Sequence, residues 1–536
     1  MSRVDFPGTA RHRVVRRLGE GGMGVVYEAI DSVRGDAVAL KTLLRASPGA
    51  IYRFKQEFRT LADVSHPNLV TLHELVKHDD LWFFTMELVD GVAFDKWCGR
   101  ASTSDGPPSD MPTIADDEID LEATLPEVVG SNSGETGANA LSQQGLRRLR
   151  KALRGLVTGL LALHDAGKLH RDVKPSNVLV DNNERVVLLD FGLAADLFER
   201  APAQPRLARL EGTVAYMAPE LASGGRPGPA ADWYAVGTML FETLTGRLPF
   251  VGQLAEVMQA RRENGPPSLD YLEQQIPKDL ADLCTDLLAP RPEDRPDGRE
   301  ILRRLGLKPP ARRIPTRPWQ SPDSISPFVG RGDALESLHN AFDEVAMAKA
   351  AVVHVHGPAG IGKSALLRHF RQRLTQPPLR AWILAGRCYE HELVPFKAVD
   401  SLVDALSRQL RQLPARRLNG VLPPGIAALA RLFPVLNRVD AIRARAKRLP
   451  ETIATDELRD RAFAAFRGLL FALGRSHPVV MIIDDLHWGD EDSATLLASA
   501  LGPPEPPPVL LIVAYPSDAT EGQRLLTTLR TAPAEG

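Results

Sequence analysis

The sequence predicts two bodies of different class: an α+β unit with a small β-rich lobe ahead of a larger helical lobe, then an α/β unit on a parallel sheet. Three observations predict it. Strand patterns crowd the chain before residue 100, and helical patterns dominate from Gly145 to Leu288. From Ala350 onward strand and helix patterns alternate, as crossover-connected parallel strands require. Two biased segments interrupt the patterns, and at 536 residues the chain is too long for one core.

The strand patterns of the first lobe are Arg13–Leu18, Val25–Ile30, Ala37–Leu43, Leu69–Val76 and Leu81–Leu88, with one helix over about Ala50–Ala62. Residues 101–143 are rich in Asp, Glu, Ser, Gly and Pro, hold no Lys or Arg, and read as a solvated or disordered insertion. Helical patterns follow over Gly145–Ala166, Ala230–Thr245, Gln253–Glu263 and Lys278–Leu288. The Pro-rich stretch 306–327 reads as a linker, which gives units at 12–306 and 326–536 joined by 307–325. Thr531–Gly536 reads as a polar tail, and no internal repeat is evident.

A net charge of -2 gives no reason to expect nucleic acid or anionic membrane as the main partner. The apolar runs Val479–Ile483 and Val509–Ala514 are strand-length, and the start Met1–Asp5 has no apolar signal core. Cys98, Cys284 and Cys388 match no disulfide or zinc pattern, so a reducing cytoplasm is expected. His164, His339 and His369 lie in helical patterns without a second ligand at metal spacing, so packing or surface roles are expected.

Gly19–Gly24 spells G-x-G-x-x-G. The same spelling opens helices in dinucleotide-binding folds, but Val25–Ile30 is β-branched and continues as a strand. Val38-Ala39-Leu40-Lys41 puts a lysine on the following strand, and Glu57 on the next helix can reach it as an ion pair. Such a lysine holds the α- and β-phosphates of ATP. In His170-Arg171-Asp172-Val173-Lys174-Pro175-Ser176-Asn177, Asp172 is placed to take a proton from a substrate hydroxyl and Asn177 to hold magnesium. Asp190, in Asp190-Phe191-Gly192, is the second magnesium ligand.

With Gly212-Thr213, Ala218-Pro219-Glu220, Asp232 and Arg295, residues 12–306 resemble a bacterial Ser/Thr protein kinase of the eukaryotic-like type. The resemblance implies the two-lobed kinase fold, an adenine site that includes Leu18, Gly19, Gly21, Gly24, Val26 and Ala39, and Met86 at its back. It also implies a hinge at Glu87 and Val89, a phosphate contact from Lys174, and a Glu220–Arg295 ion pair. One departure matters. Between Gly192 and Pro219 the only hydroxyl residues are Thr213 and Tyr216, so no activating phosphosite is expected there, with Glu199 or Glu211 as fixed charges in its stead. Autophosphorylation is then expected elsewhere, with Thr113 and Thr124 of the insertion as candidates.

Strand pattern Ala351–His356 runs into Gly357-Pro358-Ala359-Gly360-Ile361-Gly362-Lys363-Ser364 and a helix, the context of a phosphate-binding P-loop. Lys363 is placed for the β- and γ-phosphates and Ser364 for magnesium. Val479–Asp485 ends in Asp484, a magnesium partner through water, and Asp485, a candidate to polarise an attacking water. With Phe328–Arg331, Arg387–Glu390 and Asp484–Trp488, residues 326–516 resemble a signalling ATPase of the STAND/AAA+ type. Pro516 follows Tyr515 where such modules often carry a phosphate-sensing arginine, so ATP binding is expected more than turnover.

The whole reads as an α+β two-lobed protein kinase fold followed by an α/β P-loop NTPase domain that is shortened relative to its kin. Its expected cofactors are ATP and Mg2+, and its partners are protein substrates. Self-association through the ATPase-like module is expected too. That module would tune the kinase through the 306–327 linker. The alternative is a nucleotide-gated signalling scaffold with little kinase output.

Overall fold

A computed structural model of the chain describes all residues except 1–5, 22–23, 44–45, 63, 80, 101–140, 191–213, 223–224, 226, 253, 264, 270–274, 310–329, 376–380, 451–452 and 532–536. The acidic insertion, most of the Gly192–Pro219 stretch and most of the linker therefore lie outside the described residues, and with them Glu199, Glu211, Thr213, Thr113 and Thr124.

The first lobe is an antiparallel sheet of β1 (His12–Gly21), β2 (Gly24–Asp31), β3 (Ala37–Leu43), β4 (Leu72–His78) and β5 (Leu81–Glu87). Their order is β1-β2-β3-β5-β4. The fourth strand starts later than Leu69, which instead bridges to Leu188 across the lobes. Between β3 and β4 lies α1 (Pro48–Leu61). Ser47 Oγ accepts from the Ala50 N–H and Pro48 opens the first turn, two ordinary helix-start devices. Ile51, Phe54, Phe58 and Leu61 form the helix face that joins the core. Tyr52, Lys55 and Arg59, on another face, are also buried, which the charge of that face alone does not predict.

The larger lobe is built on α2 (Gln143–Asp165) and α3 (Pro229–Thr245). Leu149, Leu153, Leu156 and Leu160 line the buried side of α2. The third helix is apolar nearly all round and is buried, ending on Gly246 at φ 78°. A small sheet of β6 (Gly91–Ala93), β7 (Val178–Asp181) and β8 (Val186–Leu188) forms, its last two strands falling in sequence between the loop at 170–177 and Asp190.

The second unit starts with α4 (Gly332–Ala346), β9 (Ala351–Gly357) and α5 (Lys363–Leu374), followed by β10 (Trp382–Arg387). A two-residue strand, β11 (Glu392–Leu393), precedes α6 (Lys397–Leu410). From there to α7 (Thr455–Gly474) the described residues form short helices and turns without a strand, so the alternation expected from sequence is broken by a helical insert. Then come β12 (Val479–Asp484), α8 (Glu491–Leu501), β13 (Val509–Pro516) and α9 (Gln523–Thr531), the last running into the stretch read as a tail.

These strands form a four-stranded parallel sheet of order β10-β12-β13-β9. It is covered on both faces. Val479, Met481, Ile483, Leu511 and Val513 join one core, and Val480, Ile482, Leu510 and Ile512 join the other. That alternation is why these runs read as continuously apolar.

The two units touch directly. β11 pairs parallel with β4, Glu392 opposite Leu75 and Leu393 opposite Val76, and becomes the sixth strand of the first lobe's sheet. The Leu75 N–H donates to the carbonyl of His391 at 3.0 Å. All three cysteines are buried thiols. Among the described residues no helix is long and apolar enough to cross a membrane.

Candidate active site and phosphate-binding loop

The glycine-rich segment is the turn of the β1–β2 hairpin, with Glu20 opposite Val25 and Gly21 opposite Gly24. Gly24 is forced by sterics, since a Cβ there would sit 2.1 Å from the Thr42 carbonyl oxygen. A Cβ on Gly19 would meet nothing within 4 Å, which leaves open space beside the hairpin. Val26 lies opposite Lys41 and Ala39 opposite Met86, so the expected ceiling and back of the adenine site are neighbours in one sheet. Leu18 is partly exposed at the rim. The Glu87 carboxylate accepts from the Thr71 N–H at 3.0 Å and from Arg185 at 2.8 Å, so it fastens the hinge segment that runs on to Val89.

Lys41 Nζ donates to Glu57 Oε1 at 2.6 Å and to Asp190 Oδ1 at 2.7 Å. Burial alone would lower the ammonium's pKa, but the carboxylates of Asp190 and Glu57 outweigh it and hold it above its ordinary value. Asp190 is opposed by burial yet lies below the usual carboxylate range because Lys41 faces it. Glu57, more deeply buried, is pushed up to about 7 by burial, with Lys41 drawing it only part of the way back.

Asp172 Oδ2 accepts from Lys174 Nζ at 2.9 Å and from Asn177 Nδ2 at 2.8 Å. The Asn177 amide also donates to the Asp172 carbonyl at 2.8 Å, closing the loop on itself. A buried carboxylate, Asp232 at the start of α3, holds the loop from beneath. It accepts from the backbone N–H groups of His170 at 3.0 Å and Arg171 at 2.8 Å, and pairs with His164 Nε2 at 2.8 Å. Burial would raise Asp232, but His164 and the His170 N–H overcome it and the carboxyl is lowered. His170 is fully buried, and burial lowers its pKa. Arg171 at φ 69° and Asp190 at φ 51°, beside the active groups, are non-glycine residues held in the left-handed region. Further down, Arg295 grips Glu220 through two bonds of 2.8 and 2.9 Å, packed over Tyr234.

In the second unit, Gly360 at φ 75° and Gly362 at φ 99° carry the P-loop into α5, a path a side chain would strain. Lys363 Nζ donates to the carbonyls of Gly357 at 2.9 Å and Pro358 at 3.1 Å, and so lies along its own loop. Arg331 reaches the loop's Ile361 carbonyl. Burial pushes the Asp484 carboxyl up, and the neighbouring Ser364 hydroxyl draws it part of the way back. Asp485, at φ 52°, is tied to Arg387 at 2.6 Å. The expected water-polarising role therefore competes with an ion pair that sequence did not reveal. Tyr515 stacks on His356 at the end of β13, and Pro516 follows it.

Sequence reasoning also missed a cluster at the seam of the two units: Lys55 and Arg59 of α1 against Glu392, Asp400 and Asp404. The only signal was spacing. Lys55 and Arg59 are four residues apart on one helix, and Asp400 and Asp404 four apart on another.

Comparison with known proteins agrees with this geometry. A profile described as a protein kinase domain matches residues 12–110 and 131–305, just over half of the chain, and one described as an AAA ATPase domain matches 327–513. The probable serine/threonine-protein kinase PknB of Lactococcus lactis is 28% identical over 275 residues, 50% of this chain and 37% of that protein. PrkC of Bacillus subtilis is 27% identical over 291 residues, 54% of this chain and 38% of its own. The serine/threonine-protein kinase PknE of Mycobacterium tuberculosis is 31% identical over 290 residues, 53% of this chain and 43% of its own. The chain thus spans well under half the length of these relatives.

Proposed function

This chain belongs to the protein kinase family, and on that premise we propose that it transfers the γ-phosphoryl group of ATP to Ser and Thr hydroxyls of protein substrates, its own chain included. The observation that carries the reading is the single ammonium of Lys41 held between Glu57 at 2.6 Å and Asp190 at 2.7 Å. That arrangement presets a cation for the α- and β-phosphates. Both bonds to the Asp172 side chain fall on Oδ2, so Oδ1 is the atom that accepts the proton of the substrate hydroxyl. Lys174, bonded to the same carboxylate, is near enough to balance charge on the transferring group.

The donor set suits magnesium. Asp190 offers a carboxylate, and Asn177 offers an amide oxygen because its nitrogen is spent on Asp172. Magnesium, when bound, neutralises charge between the β- and γ-phosphates. In the second unit Ser364 and Asp484 are an equivalent pair of hard oxygens, and Lys363 supplies the cation. We read that unit as an ATP-binding module with slow turnover, because Pro516 stands where an arginine would stabilise the transition state. Three buried thiols without a disulfide agree with a cytoplasmic setting.

The test is mass spectrometry of the purified chain after incubation with magnesium-ATP and a generic acceptor protein. Phosphate on Ser and Thr, absent with Asp172→Asn, is the expected outcome. No new phosphate with wild type would overturn the reading.

A further inference from the structure

Helix α1 has two buried faces with two different employers. One carries Glu57 to Lys41. The other is locked into the second unit by a buried ionic cluster, each side chain at most 9% exposed. Lys55 Nζ donates to Asp400 at 2.7 and 2.9 Å and to Asp404 at 2.9 Å. Arg59 donates to Glu392 Oε1 at 2.5 and 2.9 Å, to Asp400 at 2.6 Å and to Asp404 at 2.8 Å. The equal pitch of the two charge pairs, one on α1 and one on α6, lets two helix turns engage at once. Around the cluster, Arg408 donates to the Tyr52 hydroxyl at 2.8 Å, and the Arg438 guanidinium lies 3.8 Å over the Tyr52 ring. The β11–β4 pairing fixes the register beside it. Buried charges hold only with their partners, so this face of α1 is stable in place only while the second unit covers it.

The same seam reaches the P-loop. A cavity of about 380 Å³ is walled by Gln56 and Arg59 from α1, by Ser364 and Asp484 from the nucleotide site, and by Asp404. Its lining holds five arginines, Arg59 among them, against two carboxylates, Asp404 and Asp484. That balance favours an anion.

We propose that α1 is the element through which the P-loop unit sets kinase output: a nucleotide triphosphate on Ser364 and Lys363 favours the docked arrangement in which Glu57 reaches Lys41. The reason is linkage. The docked arrangement is the one in which α1 adds Arg59 to the cavity wall, so a polyanion ending at Ser364 binds that arrangement better. It shifts the equilibrium by that difference. Lys55, Arg59, Asp400, Asp404 and Glu392 are then positioning residues, acting on phosphotransfer only through Glu57. The coupling runs through a helix face and a shared cavity rather than through the 306–327 linker. It rests on the kinase reading above for its output, but not for its structural readout.

The test is hydrogen–deuterium exchange of the α1 peptide in the full chain, with and without magnesium-ATP, in wild type, Lys363→Ala and Asp404→Asn. ATP reaches the kinase cleft in all three, so their differences report the P-loop and the cluster. The expected result is ATP-dependent protection of α1 in wild type that is at least tenfold weaker in Lys363→Ala. In Asp404→Asn, nearly isosteric and so expected to fold, kcat falls about tenfold with the KM for protein substrate unchanged, and α1 exchanges faster. Equal α1 exchange in wild type and Lys363→Ala overturns the proposal, as does wild-type kcat and α1 exchange in Asp404→Asn. A wild-type chain that shows Lys363-dependent protection but no phosphotransfer would sink the kinase reading and leave the coupling standing.

Discussion

Above pH about 7, where Glu57 is ionised, replacing it with Gln removes one negative charge from the Lys41 cluster at constant volume. The pair is buried at 2.6 Å, with side-chain exposures of 6% and 4%. At an effective dielectric of about 20 the gross attraction at that distance is about 6 kcal/mol. Desolvation cancels much of it, and breaking a buried pair by removing one partner costs about 3–5 kcal/mol. Gln retains a hydrogen bond, so about 3 kcal/mol is the expected loss. Lys41 keeps Asp190 at 2.7 Å and swings toward it, away from the position set by two carboxylates. If about 2 kcal/mol of the loss is felt in the transition state, kcat/KM falls about 30-fold. Steady-state kinetics on a protein acceptor, with a thermal melt to show that the variant is folded, measures it. A folded Glu57→Gln chain within threefold of wild type would refute the idea that this ion pair positions Lys41.

Other substitutions test separate parts. Asp190→Asn removes the carboxylate that faces Lys41 and is expected to cost at least about 10²-fold in phosphotransfer, as single contacts to charge in the transition state do, read by the same kinetics. Lys363→Ala, placed in a Lys41→Met chain so that the kinase cleft is silenced, should abolish the remaining heat of ATP binding in calorimetry. Gly24→Ala drives a methyl into the Thr42 carbonyl and should destabilise the fold by about 1–3 kcal/mol, read from its denaturation midpoint. Asp31, bonded to Arg11 at 2.7 and 2.8 Å, is held well below the usual carboxylate range chiefly by that bond. Its contribution is therefore present above pH about 4 and is lost as pH falls further, so Asp31→Asn and wild type should melt apart at neutral pH and converge in acid.

The kinase site was legible because its chemistry needs particular residue types at fixed places. The motifs around Lys41, Asp172 and Asp190 name groups that the fold brings together across 149 residues of sequence separation. Strand positions in the first lobe followed from β-branched runs, and the parallel sheet from strand patterns that alternate with helices, whereas the strand order came only from the structure. The seam was not legible. Nothing in the sequence marks Lys55, Arg59, Asp400 and Asp404 as buried, because only a partner more than 340 residues away makes their burial tolerable. A two-residue strand such as β11 has no periodicity to detect. The Arg387–Asp485 pair hid for the same reason: two polar residues at strand ends look ordinary until parallel register sets Arg387 beside Asp484.

The central claim is phosphotransfer by the Asp172 loop, and single-turnover transfer of labelled γ-phosphate from ATP to a protein acceptor tests it most directly. Wild-type chain is expected to label Ser and Thr, and Asp172→Asn to do so at least about 10²-fold more slowly while still binding ATP in the cleft. Equal transfer rates for the two chains would contradict the account.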